Sequence, residues 1–359
     1  MARDQIRRLI AAGGFRRGDQ LPTYADLCKR LGVSFLTVQR AMGDLARDGI
    51  VYRLHGKGCY VGKALNSGPR PFSQVGLVFG ASLNMLIRAP YLNQILDGVL
   101  TACGERNVDL TILSIRTARG RIPPAQLAAQ VDAVILLGLT NTEYLRGFQE
   151  THVPLVLVDN LTPGLPVDTV VVDNARGVGL VMQDLLARGH RRIAYVSGLT
   201  RDPIAEAWVE PSDETERREA YAAEMRAAGL GDHLRVFAAR VGGGTGGDAA
   251  AAATGPRPVT AFVAFSALLV PSLCRELAAA GLRVPQDVSV AAAAGAPTDD
   301  VLSGLPITYA KADFAAMGVA AVEALERRCR ASPPPEPVVS RVPVTFVPGG
   351  TAAAREEQR

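Results

Sequence analysis

Short apolar runs recur along residues 74–350, and they limit the possible folds more than any other feature of the chain. Val75–Phe79, Leu110–Ile115, Val131–Gly138, Val153–Asp159 and Ile193–Ser197 read as strands, and Val338–Val347 as a last one behind the rigid Pro333–Pro337 connector. These runs do not alternate apolar with polar, so such strands are buried on both faces. Residues 91–106, 177–188 and 216–228 carry helical spacing between them. Buried strands separated by helices imply parallel sheets covered on both sides, an α/β fold. Two such units fit the available length. Ligands in these folds lie beyond the carboxyl ends of the strands.

The first sixty-odd residues follow a different pattern. Ile6, Leu9 and Ile10 share one face of a helix that stops at Gly13-Gly14. Thr23 is placed to cap a second helix carrying Ala25, Leu27 and Leu31, which Gly32 breaks. Ser34 can then accept from the free N–H groups of a third helix, closed by Gly49. Val38, Ala41 and Leu45 should pack inward there. That leaves Phe35, Leu36, Gln39 and Arg40 toward the groove of a nucleic acid. Ile50–Tyr52 and Cys59–Val61 read as strands around His55-Gly56-Lys57-Gly58. Three helices and a hairpin describe a winged helix-turn-helix, a module that binds double-stranded DNA. Charge agrees, since residues 1–63 hold 12 Lys and Arg against 5 Asp and Glu, whereas the rest holds 27 against 30. A basic module on a mildly acidic body is expected when one part alone meets phosphate.

Composition narrows the remaining classes. With 359 residues, 48% of them apolar, the chain is long enough for two or three domains with proper cores. No apolar run is long enough to span a bilayer, and no signal-peptide core begins the chain, so a cytoplasmic location without a membrane partner is expected. Cys28, Cys59, Cys103, Cys274 and Cys329 are odd in number, dispersed and without a CxxC pair. Buried free thiols are expected, with neither disulfide framework nor zinc, and no cofactor is implied. Gly242–Gly247 lacks the Lys-Ser/Thr of a phosphate loop and reads as a loop entering an Asp248-capped helix. The four histidines, His55, His152, His190 and His233, are scattered, and no nucleophile elbow or HExxH occurs, so an enzyme ranks lowest.

The expected boundaries are a winged helix over 1–65, a linker over 66–73 and a two-lobed domain over 74–350. The proline-bearing segment Asn66–Pro71 carries the linker. The first lobe takes about 74–172 and 312–338, and the second about 173–311 and 339–350. Residues 351–359 are expected to be a flexible tail.

Residues 18–61 resemble the winged helix of the GntR family, whose pattern of G-x-x-L-P-[ST], L-x-V-S-x-x-T-V and G-x-G-x-x-V appears here in order. The resemblance implies that Thr23, Thr37 and Lys57 meet phosphates, while Ser34, Phe35, Leu36, Gln39, Arg40 and the wing tip His55-Gly56 face DNA. This chain departs from the pattern where many members carry arginine, at Ala25, Phe35 and Gln39. Gln39 can pair bidentately with adenine, and Phe35 or Leu36 can touch a thymine methyl, so an A·T-richer half-site is expected. Phe35 can equally staple the second helix to the third, and Arg40 can be a solvated charge.

The phrases Val153–Asp159, Val172-Asp173-Asn174, Arg188–Ala194, Arg217 with Tyr221, Gly281–Val290 and Lys311–Gly318 resemble the effector domain of LacI/GalR regulators. That resemblance covers about 74–350. It implies two α/β lobes joined by three crossovers and closing on a small molecule, a sugar or derivative, in a homodimer. A GntR-type head on such a domain is the arrangement of arabinose-responsive repressors. His190 is structural in this reading. Polar ligand contacts would come from Ser82, Asn84, Asn141, Asp159, Arg217 and Ser266. Several family positions are lost, with Ser266-Ala267 for an Asn-Asp pair, Ala291–Gly295 for an aspartate turn and Ala312 for a glutamine. Each unpartnered buried sugar hydroxyl costs about 1–3 kcal/mol. Either the cleft takes a smaller or more apolar effector, or it binds none and the domain only dimerises. Trp208, in the lengthened segment 199–214, is set to overhang the cleft as a lid contact; a mobile surface loop is the alternative.

Overall fold

A computed structural model describes residues 2–12, 15, 19–47, 50–54, 58–61, 72–80, 89–117, 120–162, 164–202, 204–240, 243–295, 304–331 and 334–355. The chain divides into two compact units, Met1–Pro71 and Phe72–Arg359.

In the smaller unit α1 (Ala2–Ala12), α2 (Tyr24–Leu31) and α3 (Phe35–Arg47) precede a hairpin of β1 (Val51–Leu54) and β2 (Gly58–Val61). Val51 pairs with Val61 and Tyr52 with Tyr60. Ile6, Ile10, Leu27, Val38, Met42 and Leu45 are buried together, so the apolar stripe of each helix meets in one core. Gly32 ends α2 in the left-handed region, φ 65°, and its N–H donates to the Cys28 carbonyl. The expected stops at Gly13-Gly14 and Gly49 fall outside the described residues.

The larger unit holds two sheets. One is wholly parallel, with β3 (Gln74–Phe79), β4 (Asp109–Ser114), β7 (Ala133–Leu137), β8 (Leu155–Val158), β9 (Asp168–Val172) and β16 (Val339–Val342) in the order β16-β9-β8-β7-β3-β4. The tiny hairpin of β5 (Arg116–Thr117) and β6 (Gly120–Arg121) follows β4. α4 (Pro90–Arg106) and α11 (Phe314–Arg330) share this sheet's core, while α5 (Pro124–Ala128) and α6 (Thr142–Gln149) cover its other face. Gly98 and Gly318 let α4 and α11 touch backbone to backbone. A Cβ at Gly98 would lie 1.9 Å from the Ala315 carbonyl oxygen, and one at Gly318 2.2 Å from that of Ile95.

The second sheet comprises β10 (Ile193–Arg201), β11 (Trp208–Val209), β12 (Val236–Arg240), β13 (Ala261–Ala264), β14 (Ser289–Gly295), β15 (Thr308–Ala312) and β17 (Val344–Val347). Strands β12, β10, β13, β14 and β15 are parallel, and β11 and β17 run antiparallel on β10 and β15. α7 (Asn174–Ala187), α8 (Ser212–Ala227), α9 (Asp248–Thr254) and α10 (Val270–Ala279) pack around it. The chain passes between lobes at 172–174, 312–314 and 342–344.

Three details differ from the sequence reading. The expected single strand over 338–347 is two, because Pro343 has no N–H for a ladder; β16 joins the first lobe, to which 339–342 had not been assigned. The start of the supposed flexible tail is docked on the second lobe. Thr351 and Ala352 are buried, the Thr351 hydroxyl accepts from Thr308 N–H at 2.9 Å, and Arg355 N–H donates to Arg188 O at 2.9 Å. The helix expected to be capped by Asp248 begins beside Gly247, and the Thr245 hydroxyl instead accepts from Ala249 N–H. His190 sits in the second lobe as a structural residue, buried between the Thr260 hydroxyl at 3.0 Å and the Ala353 carbonyl at 3.1 Å. Burial lowers its basicity first of all.

Candidate functional site

The exposed face of α3 is fixed at its N-terminal end. Thr23 and Asp26 form a reciprocal cap on α2: the Thr23 hydroxyl donates to the Asp26 carboxylate at 2.6 Å and accepts from Asp26 N–H at 3.2 Å. These bonds with Thr23 hold the Asp26 carboxyl below its ordinary range. The Ser34 hydroxyl accepts from Thr37 N–H at 3.3 Å and lies 2.8 Å from the Thr37 hydroxyl, fixing the start of α3. From that start Phe35 and Leu36, each 58% exposed, stand out with Thr37, Gln39 and Arg40, all exposed. Phe35 also leans on Tyr24, ring centroids 5.7 Å apart, so it staples α2 to α3 while keeping most of its surface free. Beside the wing Tyr52 and Tyr60 stack at 5.6 Å. His55, Gly56 and Lys57, the predicted wing tip, lie outside the described residues.

The second candidate region gathers at the carboxyl ends of the strands in the larger unit. Asp159 follows β8 with φ 61°, its N–H donating to Val170 O. Across from it, Arg217 on α8 is almost fully buried, with every side of its guanidinium engaged. Nε donates to Asn174 Oδ1 at 3.0 Å, Nη1 to the Phe265 carbonyl at 3.1 Å and Nη2 to Asp213 at 2.9 Å; the group also lies 4.4 Å over the Phe265 ring. Asn174 in turn donates to Glu216, which takes a two-pronged pair from Arg341 of the first lobe at 3.0 and 2.6 Å. Burial, then the neighbouring Asp213 charge, push the Asp159 carboxyl up to about 7 against the pull of Arg217. Burial also raises Asp213 and, through Asp159 and Asp213 as well, the Tyr91 hydroxyl. One cation thus faces two carboxyls, a place that favours a bound proton or a hydrogen-bond donor.

Beneath this cluster Glu214 is wholly buried. It accepts from the Tyr195 hydroxyl at 3.0 Å, and burial pushes it up to about 7. The nearby Ser197 hydroxyl and Gly198 N–H offset that burial in part, while the Ser266 hydroxyl has no hydrogen-bond partner among the described residues. Of the predicted contacts, Asp159 and Arg217 come together, and Ser266 follows the residue whose carbonyl Arg217 binds. Asn141 is committed elsewhere, its Oδ1 accepting from Tyr144 N–H at 3.0 Å as the cap of α6. Trp208 lies on β11, 38% exposed, with the Arg240 guanidinium 5.3 Å over its ring. Ser82 and Asn84 are outside the described residues.

Residues 1–61 match the family of bacterial regulatory proteins, gntR family, and residues 182–352 match the periplasmic binding protein-like domain. The chain is a GntR-type winged helix joined to a LacI-like domain. The two modules together are those of a DNA-binding transcriptional regulator. It is 28% identical over 332 residues to the HTH-type transcriptional regulator PtxS of Pseudomonas putida, covering 86% of this chain and 89% of that one. It is 24% identical to the arabinose metabolism transcriptional repressor of Geobacillus stearothermophilus, and there it spans only 54% of the relative's length. Among solved structures, the transcriptional regulator CelR–cellobiose complex matches with a TM-score of 0.62 and 25% identity over 89% of this chain and 92% of that one. No described helix is long and apolar enough to cross a membrane.

Sequence pattern does not pick out Tyr91, Asn174, Asp213, Glu214 and Glu216, which interact around Arg217 and Asp159. Asp213 and Arg217, one helical turn apart, were the readable signal, since an i,i+4 pair opening a helix after a loop sits on one face. Tyr91 and Glu214 had no such signal, because their partners lie on other elements.

Proposed function

We propose that the protein is a homodimer in the cytoplasm that places two copies of α3 in successive major grooves of an operator and acts by binding, not catalysis. The observation that carries this reading is the α3 face itself. Phe35, Leu36, Thr37, Gln39 and Arg40 stand exposed in a row on a helix whose start is pinned by Ser34 and whose other side is core. Exposed aromatic and aliphatic side chains on a basic module are costly in water and serve at a groove edge, where thymine methyls lie. Thr23, Thr37 and the wing tip His55-Gly56-Lys57 are proposed to hold phosphates and the adjacent groove. Selection from a random duplex library with the full-length protein, read by sequencing, tests it. Paired half-sites about one helical turn apart are expected; retention of duplexes without a shared motif would reject the reading.

The small molecule is proposed to sit between Asp159 and Arg217 and to be sugar-like, in line with the cellobiose complex of the matched regulator. Hydroxyl donors suit two carboxyls with one shared cation. A second reading, operation without any effector, is favoured by one observation: Arg217 already has a protein partner for each donor group. Thermal melts and operator titrations with a panel of mono- and disaccharides separate the two, because a ligand that binds the folded state raises the melting temperature.

A further inference from the structure

The segment after β10 crosses from one lobe to the other. Strand β10 runs to Arg201 and the chain returns in β11, with Thr200 paired to Val209 and Arg201 to Trp208. The turn between them is built around Asp202, which is buried. One oxygen of its carboxylate accepts from Ile204 N–H at 2.7 Å and Ala205 N–H at 2.6 Å, and its backbone N–H donates to Ala207 O at 2.8 Å. These bonds brace Ile204 and Ala205 against the Asp202 carboxylate.

Ile204 packs into the other lobe. It is 5% exposed and belongs to the core of the first lobe, with Ile115, Leu127, Leu139 and Leu165. Three polar contacts from the first lobe surround it. Arg121 donates to the Ile204 carbonyl at 2.7 Å, Thr140 donates to the other Asp202 oxygen, and Arg116 pairs with Glu206. A little further along, the Ser212 hydroxyl accepts from Leu161 N–H at 2.6 Å and donates to the buried Asn160 at 2.5 Å. An apolar plug and a row of hydrogen bonds therefore tie residues 202–212 of the second lobe to the first.

We propose that the 201–209 hairpin is a latch, with Ile204 as its bolt, that holds the two lobes of the LacI-like domain together without a bound small molecule. In a two-lobed domain that closes on its ligand, the ligand itself bridges the halves; here the chain supplies the bridge. Parting the lobes requires drawing Ile204 out of the first lobe's core and breaking the Arg121, Thr140 and Arg116 contacts in one event, since the plug and the three contacts all sit on Asp202, Ile204 and Glu206. The lobes therefore rest closed, and a small molecule can shift them only through a difference in its affinity for the latched and unlatched states.

Hydrogen exchange on the full-length protein, followed by mass spectrometry without DNA or ligand, tests the latch independently of the operator reading. Ile204→Ser is compared with the wild type and with Ile204→Val. The latch predicts at least tenfold faster exchange in Ile204→Ser over both 201–209 and the facing segment 113–122 of the first lobe. Residues 24–47 should be unaffected and Ile204→Val close to the wild type. Unchanged protection, or acceleration confined to 201–209, would overturn it, because a surface hairpin that merely rests on the domain frays alone. Should Ile204→Ser fail to give a native circular dichroism spectrum, Arg121→Ala removes only the bond to the Ile204 carbonyl and is read on the same two segments.

Discussion

Gln39 illustrates how much a single side chain decides here, because it is exposed in the middle of the α3 face. A glutamine amide matches adenine's donor and acceptor edge, worth about 1–3 kcal/mol of discrimination when bidentate. Gln39→Ala should weaken binding to the selected operator roughly tenfold and relax base preference at one position, measured by fluorescence anisotropy; a uniform loss across all sequences would mark Gln39 as a backbone contact instead. At Glu214 the proton matters. Its folded-state pKa of about 7 and that of Asp159, also about 7, lie above the ordinary carboxyl range. The folded state thus holds protons that the unfolded chain releases. The associated stability is fully present below about pH 4 and is lost as the pH rises through about 7. Melting temperature should fall between pH 5 and pH 8. Glu214→Gln should flatten that slope while keeping an acceptor for Tyr195; a slope identical to the wild type would assign the protons elsewhere. Asp159 and Arg217 could be picked out from motif position, but the partners that saturate Arg217 could not, because Asn174 and Phe265 approach it from positions 43 and 48 residues away in sequence.

Elements were read best where their ends carry local chemistry. Gly32, Thr23 and Ser34 mark the bounds of α2 and α3 through bonds to residues three or four positions away, so their roles are visible in the sequence alone. Thr23→Ala should cost about 1 kcal/mol and lower the first part of a thermal melt followed by proteolysis within residues 19–47. Sequence pattern is silent on how elements meet. The contact of α4 with α11 depends on Gly98 and Gly318, which lie over 200 positions apart and look like ordinary helix-weakening glycines. Gly98→Ala should force the helices apart and cost about 1–3 kcal/mol or more, seen as a lower urea midpoint; no change would mean that the helices shift without penalty. The split of 338–347 into β16 and β17 shows the same limit. Pro343 signals an interruption, but only the pairing of β16 with β9 and of β17 with β15 assigns the pieces to different lobes.

The whole molecule joins a basic head to an acidic two-lobed body, and the charge imbalance makes a salt prediction. Operator affinity should fall linearly on a double-logarithmic plot against salt, with a slope of about −0.9 for each phosphate neutralised. Arg40→Ala should reduce that slope by about one unit if Arg40 meets phosphate, and an unchanged slope would leave it a solvated charge. The sequence by itself determined the two modules, their order, the parallel α/β class and the exposed face of α3. These follow from periodicity, caps and glycine positions, which act between residues a few places apart. Only the tertiary structure decided that Ile204 enters the opposite lobe, that Trp208 sits under Arg240, and that residues 351–355 are docked. Arg121 and Ile204 are 83 positions apart, and nothing local in either signals the other. Contacts of that range depend on where the two sheets place the edges of the lobes, which no local pattern encodes.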